Sequence, residues 1–132
     1  MIRHLLYGVL TLNALVSSDY AIIPMLADIY SIQGLAGLNE KINQIKRVLN
    51  PNLYIKGILL TKYSDRTILG RDLKDSIENA TKQLNTKVFK TYIRESVAVK
   101  ESQLQKTCVL VSNPKNNASL DYTDFIKEIL KK

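Results

Sequence analysis

Gly57-Ile58-Leu59-Leu60-Thr61-Lys62-Tyr63-Ser64-Asp65-Arg66-Thr67 is where the chain changes character most abruptly. Its apolar first part is long enough for a buried strand ending at Thr61. Its polar, charged second part leads into a new amphipathic segment, so the stretch reads as strand, loop and helix start. In open α/β sheets, ligands are held by the loops that leave the carboxyl ends of parallel strands, which makes residues 61–67 the first place to look for function. The competing reading of the same residues is a solvated connection.

Working outward, the strand over residues 55–61 is preceded by Asn50-Pro51-Asn52, where proline cannot continue a helix. Before it, Leu35, Leu38, Ile42, Ile45 and Leu49 fall at spacings of three and four and predict one apolar helix stripe, with Lys41, Lys46 and Arg47 on the polar side. A loop through Asp28 and Tyr30 separates that helix from a short isoleucine-rich strand over residues 20–25. Pro24 is expected at the end of this strand, where a missing N–H is tolerated. The opening helix carries Val9, Leu12, Leu15 and Val16 and stops at Ser17-Ser18-Asp19.

Downstream, Leu69, Leu73, Ile77, Ala80 and Leu84 mark a helix capped by Asp65 or Thr67. Residues 88–93 predict a third strand, residues 94–106 a loop with a helical turn or two, and residues 109–111 a fourth short strand. After the turn Asn113-Pro114-Lys115-Asn116-Asn117, a closing helix carries Tyr122, Phe125, Ile126, Ile129 and Leu130. Alternating strands and helices argue for parallel strands joined by right-handed crossovers. The expected fold is a layered α/β sheet of three to four mainly parallel strands flanked by helices, one domain over residues 1–132.

Composition narrows the function classes only a little. The chain has 132 residues, 45% of them hydrophobic and 23% charged, which suits one soluble globular domain. Nineteen basic against twelve acidic residues give a net charge of +7, favouring polyanions such as nucleic acid, although the basic residues are spread along the chain. One cysteine and one histidine exclude an intramolecular disulfide and a zinc-type ligand cluster, so no metal site is expected. Cys108, in an apolar run with no base nearby, is expected to be a packed thiol in a reducing, cytoplasmic setting. Thr11, Asn13 and Pro24 interrupt the longest apolar runs, which excludes a membrane span.

Five segments in order resemble the carboxy-terminal half of ParA/Soj-type partition ATPases, relatives of MinD. Gly8-Val9-Leu10-Thr11-Leu12-Asn13-Ala14-Leu15 is similar to the helix after the family's Walker B aspartate, and Ser18-Asp19-Tyr20-Ala21-Ile22-Ile23-Pro24 to its next strand. Tyr30-Ser31-Ile32-Gln33-Gly34-Leu35 resembles its YxLxGL segment. Residues 57–67 match its GxLLTxxxxRT segment, and Val88-Phe89-Lys90-Thr91-Tyr92-Ile93 its VFxTxI strand. The resemblance implies a partial P-loop NTPase fold of the ParA/MinD kind and a role in plasmid or chromosome partition.

The departures matter as much. The family holds ATP with a K-G-G-x-G-K-[ST] loop whose backbone N–H groups and lysines grip the phosphates, together with acidic residues that organise magnesium. No such loop occurs among Gly8, Gly34, Gly37, Gly57 and Gly70, and only residues 1–8 stand where the Walker B strand and DxPPSxG segment would be. The expectation is a truncated or degenerate member with no catalytic residue and no cofactor of its own, ATP and magnesium belonging to the complete family.

By resemblance, Arg94, Glu95, Ser96 and Val97 map onto the loop that closes over the base, with Arg94 replacing the family's proline. Asp28 stands where the family has glutamate near the nucleotide. Arg66 falls on the arginine of the family's RT pair, implicated in sequence-indifferent DNA contact, and Lys62 and Arg71 flank it. The partners implied are non-specific DNA, a full-length ParA or other partition protein, and further copies of the chain associating through residues 20–25, with no membrane. Two alternatives stand beside the partition reading: a non-enzymatic module that modulates a full-length ParA, and a basic non-specific DNA-binding accessory protein.

Overall fold

The computed structural model describes residues 2–131. Helix α1 (Ile2–Ser17) runs into strand β1 (Tyr20–Leu26), followed by α2 (Ile29–Val48), β2 (Tyr54–Thr61), α3 (Ile68–Gln83), α4 (Val97–Leu104), the single turn α5 (Val109–Ser112) and α6 (Asn117–Leu130). β1 and β2 pair in parallel, with Ile23 opposite Ile58 and Met25 opposite Leu60. The crossover between them is α2, which supplies the connection that parallel strands require.

β2 is the centre of the molecule because both of its faces are covered. Ile58 and Leu60 point into one apolar cluster with Ile23 and Met25 of β1, Leu35, Ile42 and Ile45 of α2, and Ile77 of α3. Leu59 points the other way, onto Phe89, Ile93 and Phe125 of α6. The rings of Phe89 and Phe125 meet edge to face at 5.1 Å. Burial of each such side chain contributes about 1.5–3 kcal/mol relative to exposure. Gly57 is required where it lies, since a Cβ would come within 2.6 Å of the Phe89 ring.

Helix ends are closed locally. Asp28, Thr67, Ser96 and Asn116 cap α2, α3, α4 and α6 with side-chain oxygens. Asn50 closes α1 from a distance, its amide donating to the carbonyls of Leu15 at 3.0 Å, Val16 at 3.2 Å and Ser18 at 2.7 Å.

Several expectations need correction. The third strand is present only as two isolated parallel bridges, Ile58 with Val88 and Thr61 with Ile93. Between them the chain leaves the ladder, and the N–H groups of Lys90 and Thr91 turn to Glu128 instead. Residues 109–111 form no strand; they belong to the helical turn α5, bounded by Asn113 and Pro114. So short an apolar run does not by itself distinguish strand from helix. Cys108 is exposed rather than packed, because α5 lies at the surface. Pro24 lies within β1 rather than at its end, opposite Leu59. Tyr30 is inside α2 and not in a loop, because the Asp28 cap starts the helix immediately.

Candidate functional site

The loop leaving β2 is built by short-range contacts. Lys62 adopts φ 50, a left-handed turn residue directly after the strand. The turn drops Tyr63 into the core, and its N–H donates to the Ile93 carbonyl at 3.1 Å. Ser64 Oγ then accepts from the Arg66 N–H at 3.3 Å, and Thr67 Oγ1 accepts from the Gly70 N–H at 3.0 Å to start α3. Gly70 sits so close to the loop that a Cβ would lie 2.3 Å from the Ser64 carbonyl oxygen.

This loop faces the residues that follow Ile93. A cleft of about 250 Å³ between them is lined by Lys62, Asp65, Arg66, Tyr92, Arg94 and Glu95, among others. A second, of about 200 Å³, shares Lys62, Arg94 and Glu95 and adds Ser96, Lys100 and Tyr122. The structure thus brings together Lys62, Arg66, Arg94, Glu95 and Ser96. Val97 is exposed in the first turn of α4, Arg71 is exposed on α3, and Asp28 lies at the end of β1 with Oδ1 accepting from the Ser31 N–H at 2.7 Å; none of the three lines either cleft.

Arg94 is committed to another residue. Its Nε donates to Asp121 Oδ2 at 2.9 Å and its Nη2 to Oδ1 at 2.8 Å, a two-pronged pair. Asp121, through this hydrogen bonding first, holds the Arg94 proton above the usual arginine range. Ser96 is also engaged: its hydroxyl accepts from the Ala98 N–H at 3.2 Å and donates to Asn116 Oδ1 at 2.7 Å, joining the starts of α4 and α6. Lys62, Arg66 and Arg71 are exposed, and among the described residues the recorded ion pair is Arg94 with Asp121 alone.

The tyrosines under the loop were not singled out by pattern. Tyr63 and Tyr92 meet edge to face at 4.8 Å. Burial raises both phenols above 10.0, with the Asp65 charge adding at Tyr63 and a hydrogen bond to Asp65 adding at Tyr92. Asp121 was also missed, because its role depends on a contact between the chain after Ile93 and α6.

The described residues do not form a phosphate cradle. Gly8, Gly34, Gly37 and Gly70 lie in helices and Gly57 in β2, so no glycine-rich loop precedes a helix. No group of His, Cys, Asp and Glu suited to a metal ion occurs among the described residues.

A family model described as "AAA domain" matches residues 6–55. Sporulation initiation inhibitor protein Soj of Bacillus subtilis is 34% identical over 122 residues, covering 92% of this chain and 47% of Soj. Cobyrinic acid a,c-diamide synthase from Mycobacterium smegmatis, solved with bound ADP and magnesium, superposes with a TM-score of 0.70 at 23% identity, over 93% of this chain and 42% of that one. A ParA family ATPase from Chlorobium tepidum TLS superposes with a TM-score of 0.66 at 21% identity, over 87% and 43%. The fold is therefore part of the P-loop ATPase fold of the ParA/MinD kind. Over 122 residues the chain is similar to Soj, and it spans less than half the length of the relatives it matches.

Proposed function

We propose that this chain serves partition of the ParA/Soj type by holding duplex DNA without reading its sequence, and that it hydrolyses no ATP by itself. Lys62 and Arg66 on the loop after β2, with Arg71 on the first turn of α3, supply the phosphate contacts. The observation that carries this reading is the contrast between the cations at the site: Arg94 is neutralised by Asp121, whereas Lys62, Arg66 and Arg71 are exposed and outside the recorded ion pair. The net charge of +7 adds general attraction.

Two labelled duplexes of unrelated sequence, titrated by fluorescence anisotropy at two salt concentrations, test the proposal. Equal affinity for both and a steep loss between 50 and 200 mM salt are expected. Arg66→Glu weakens binding more than Lys41→Glu, which alters an exposed lysine on α2. Equal effects reduce the binding to net-charge attraction and remove the role assigned to Arg66.

A second reading, association with a full-length ParA or other partition protein, is favoured by the open outer edge of β1. ATP and magnesium belong, in this proposal, to the complete ParA-type domain. Here Glu95, Ser96 and Val97 could offer only contacts to a base, and Ser96 is already hydrogen-bonded to Asn116.

A further inference from the structure

Between the bridges that join residues 88–93 to β2, the two chains advance unequally: β2 by three residues, from Ile58 to Thr61, and its neighbour by five, from Val88 to Ile93. The surplus carries this segment toward α6, where Glu128 Oε1 accepts from the Lys90 N–H at 2.9 Å and the Thr91 N–H at 3.3 Å. A hollow of about 680 Å³ lies between residues 87–91 and the face of α6 that carries Asp124, Lys127, Glu128 and Lys131. It is larger than either cleft beside Arg66, and it falls in the range of about 300–1,000 Å³ usual for ligand sites. It is also remote from that loop. Asn117, at the start of α6, lines the Arg66 cleft, and Lys127 stands about 15 Å further along the helix axis.

The walls of the hollow are cationic. Lys87 and Lys90 stand on one side and Lys127 and Lys131 on the other; all four are exposed and none enters the recorded ion pair. Lys87 Nζ lies 5.7 Å from the centre of the Phe89 ring, which with Val88 gives the hollow an apolar part. Of the two carboxylates, Glu128 is turned away: Oε1 accepts from the two backbone N–H groups, and Oε2 is buried with no hydrogen-bond partner among the described residues. Asp124 is the one lining carboxylate left to face four ammonium groups, so the hollow carries an unbalanced positive charge.

We propose that this hollow docks an acidic peptide segment of a partner protein, with carboxylates held by Lys87, Lys90, Lys127 and Lys131. Charge complementarity selects an anionic occupant. Two observations choose carboxylates on a peptide over phosphate. First, no arginine lines the hollow, so the two-pronged guanidinium grip that suits phosphate is missing among the described residues, and lysines act as mobile point charges. Second, the end of α6 that borders it is the carboxyl end, near the cap at Lys131. Its partial negative charge opposes a dianion, and its last carbonyls accept N–H groups, which a peptide backbone supplies. Val88 offers contact to an apolar side chain between the acidic ones. Duplex DNA is a rod too broad to enter such a hollow and would meet only its rim.

The test titrates the 132-residue chain, at low salt, with a fluorescent peptide of glutamates flanking a leucine, and with the same peptide carrying glutamines instead. The glutamate peptide should bind about tenfold more tightly or better, and its amide shifts by NMR should centre on residues 87–91 and 127–131. No binding at millimolar peptide, or shifts centred elsewhere, overturns the proposal. Lys90→Gln together with Lys127→Gln should weaken the peptide about tenfold, whereas Lys41→Glu, which costs the chain the same charge, leaves it nearly unchanged. Equal losses reduce the binding to net charge and overturn the site. Inorganic tripolyphosphate that displaces the peptide at a lower concentration than unlabelled peptide does would assign the hollow to phosphate instead. A double variant that loses duplex DNA as severely as Arg66→Glu would make the hollow part of a DNA surface and overturn the peptide. Arg66→Glu should leave peptide binding intact, so this proposal and the DNA reading can each fail alone.

Discussion

Arg94 and Asp121 make three hydrogen bonds with one another: Nε to Oδ2 at 2.9 Å, Nη2 to Oδ1 at 2.8 Å, and the Arg94 N–H to Oδ2 at 2.9 Å. The pair fastens the chain after Ile93 to α6. The Asp121 side chain is 11% exposed and that of Arg94 41%, so the two ends are unequal. Asp121→Ala strands a backbone donor and a guanidinium, and should lower stability by about 1–3 kcal/mol. Arg94→Ala leaves the backbone bond in place and should cost less. Urea melts that rank the two the other way would show that the bond to the Arg94 N–H contributes nothing.

Gly70 should resist replacement even though alanine is the better helix former. An added Cβ meets the Ser64 carbonyl oxygen at 2.3 Å and Thr67 Oγ1 at 2.9 Å, so the loop or the cap must move. The helix gain of about 1 kcal/mol is then outweighed by strain of about 1–3 kcal/mol. Thermal melts of Gly70→Ala are expected to show a lower Tm, and a raised Tm would mean that the close approach is relieved at no cost.

Tyr63 supplies a pH signature. Burial first, and the Asp65 charge second, hold its proton above the ordinary value of 10.0. Below that pH both folded and unfolded forms are neutral and the full stability is present. As pH rises past 10.0 the unfolded chain ionises first, so stability falls. The hydroxyl is buried with no hydrogen-bond partner among the described residues. Tyr63→Phe should therefore be neutral, or stabilising by about 1 kcal/mol, near pH 7. It should also flatten the decline above pH 10, and denaturant melts with the same slope in both proteins would sink this assignment.

Calorimetric titration with ATP and magnesium is expected to show no binding tighter than millimolar. Contacts to a base alone contribute on the order of a few kcal/mol before the cost of immobilising the ligand. Micromolar affinity would mean that phosphates are gripped by residues read here as structural.

Much of the fold was legible in the order of residues. The apolar run of residues 57–61, the stripe from Leu35 to Ile45 and the break at Asn50-Pro51 each reflect short-range rules of burial and backbone geometry, and β1, α2 and β2 lie where those rules put them. The five family-like segments likewise pointed to the similarity with Soj that the comparison finds. Only the tertiary structure decided how the sheet ends. Residues 88–93 carry a strand composition, but the Thr91 amide, which by alternation falls on the β2 side with those of Phe89 and Ile93, is taken at 3.3 Å by Glu128, which lies far along the chain. Arg94 was mapped only by resemblance, onto the loop that closes over the base; its pairing with Asp121 comes from folding, and no local pattern announces such a partner.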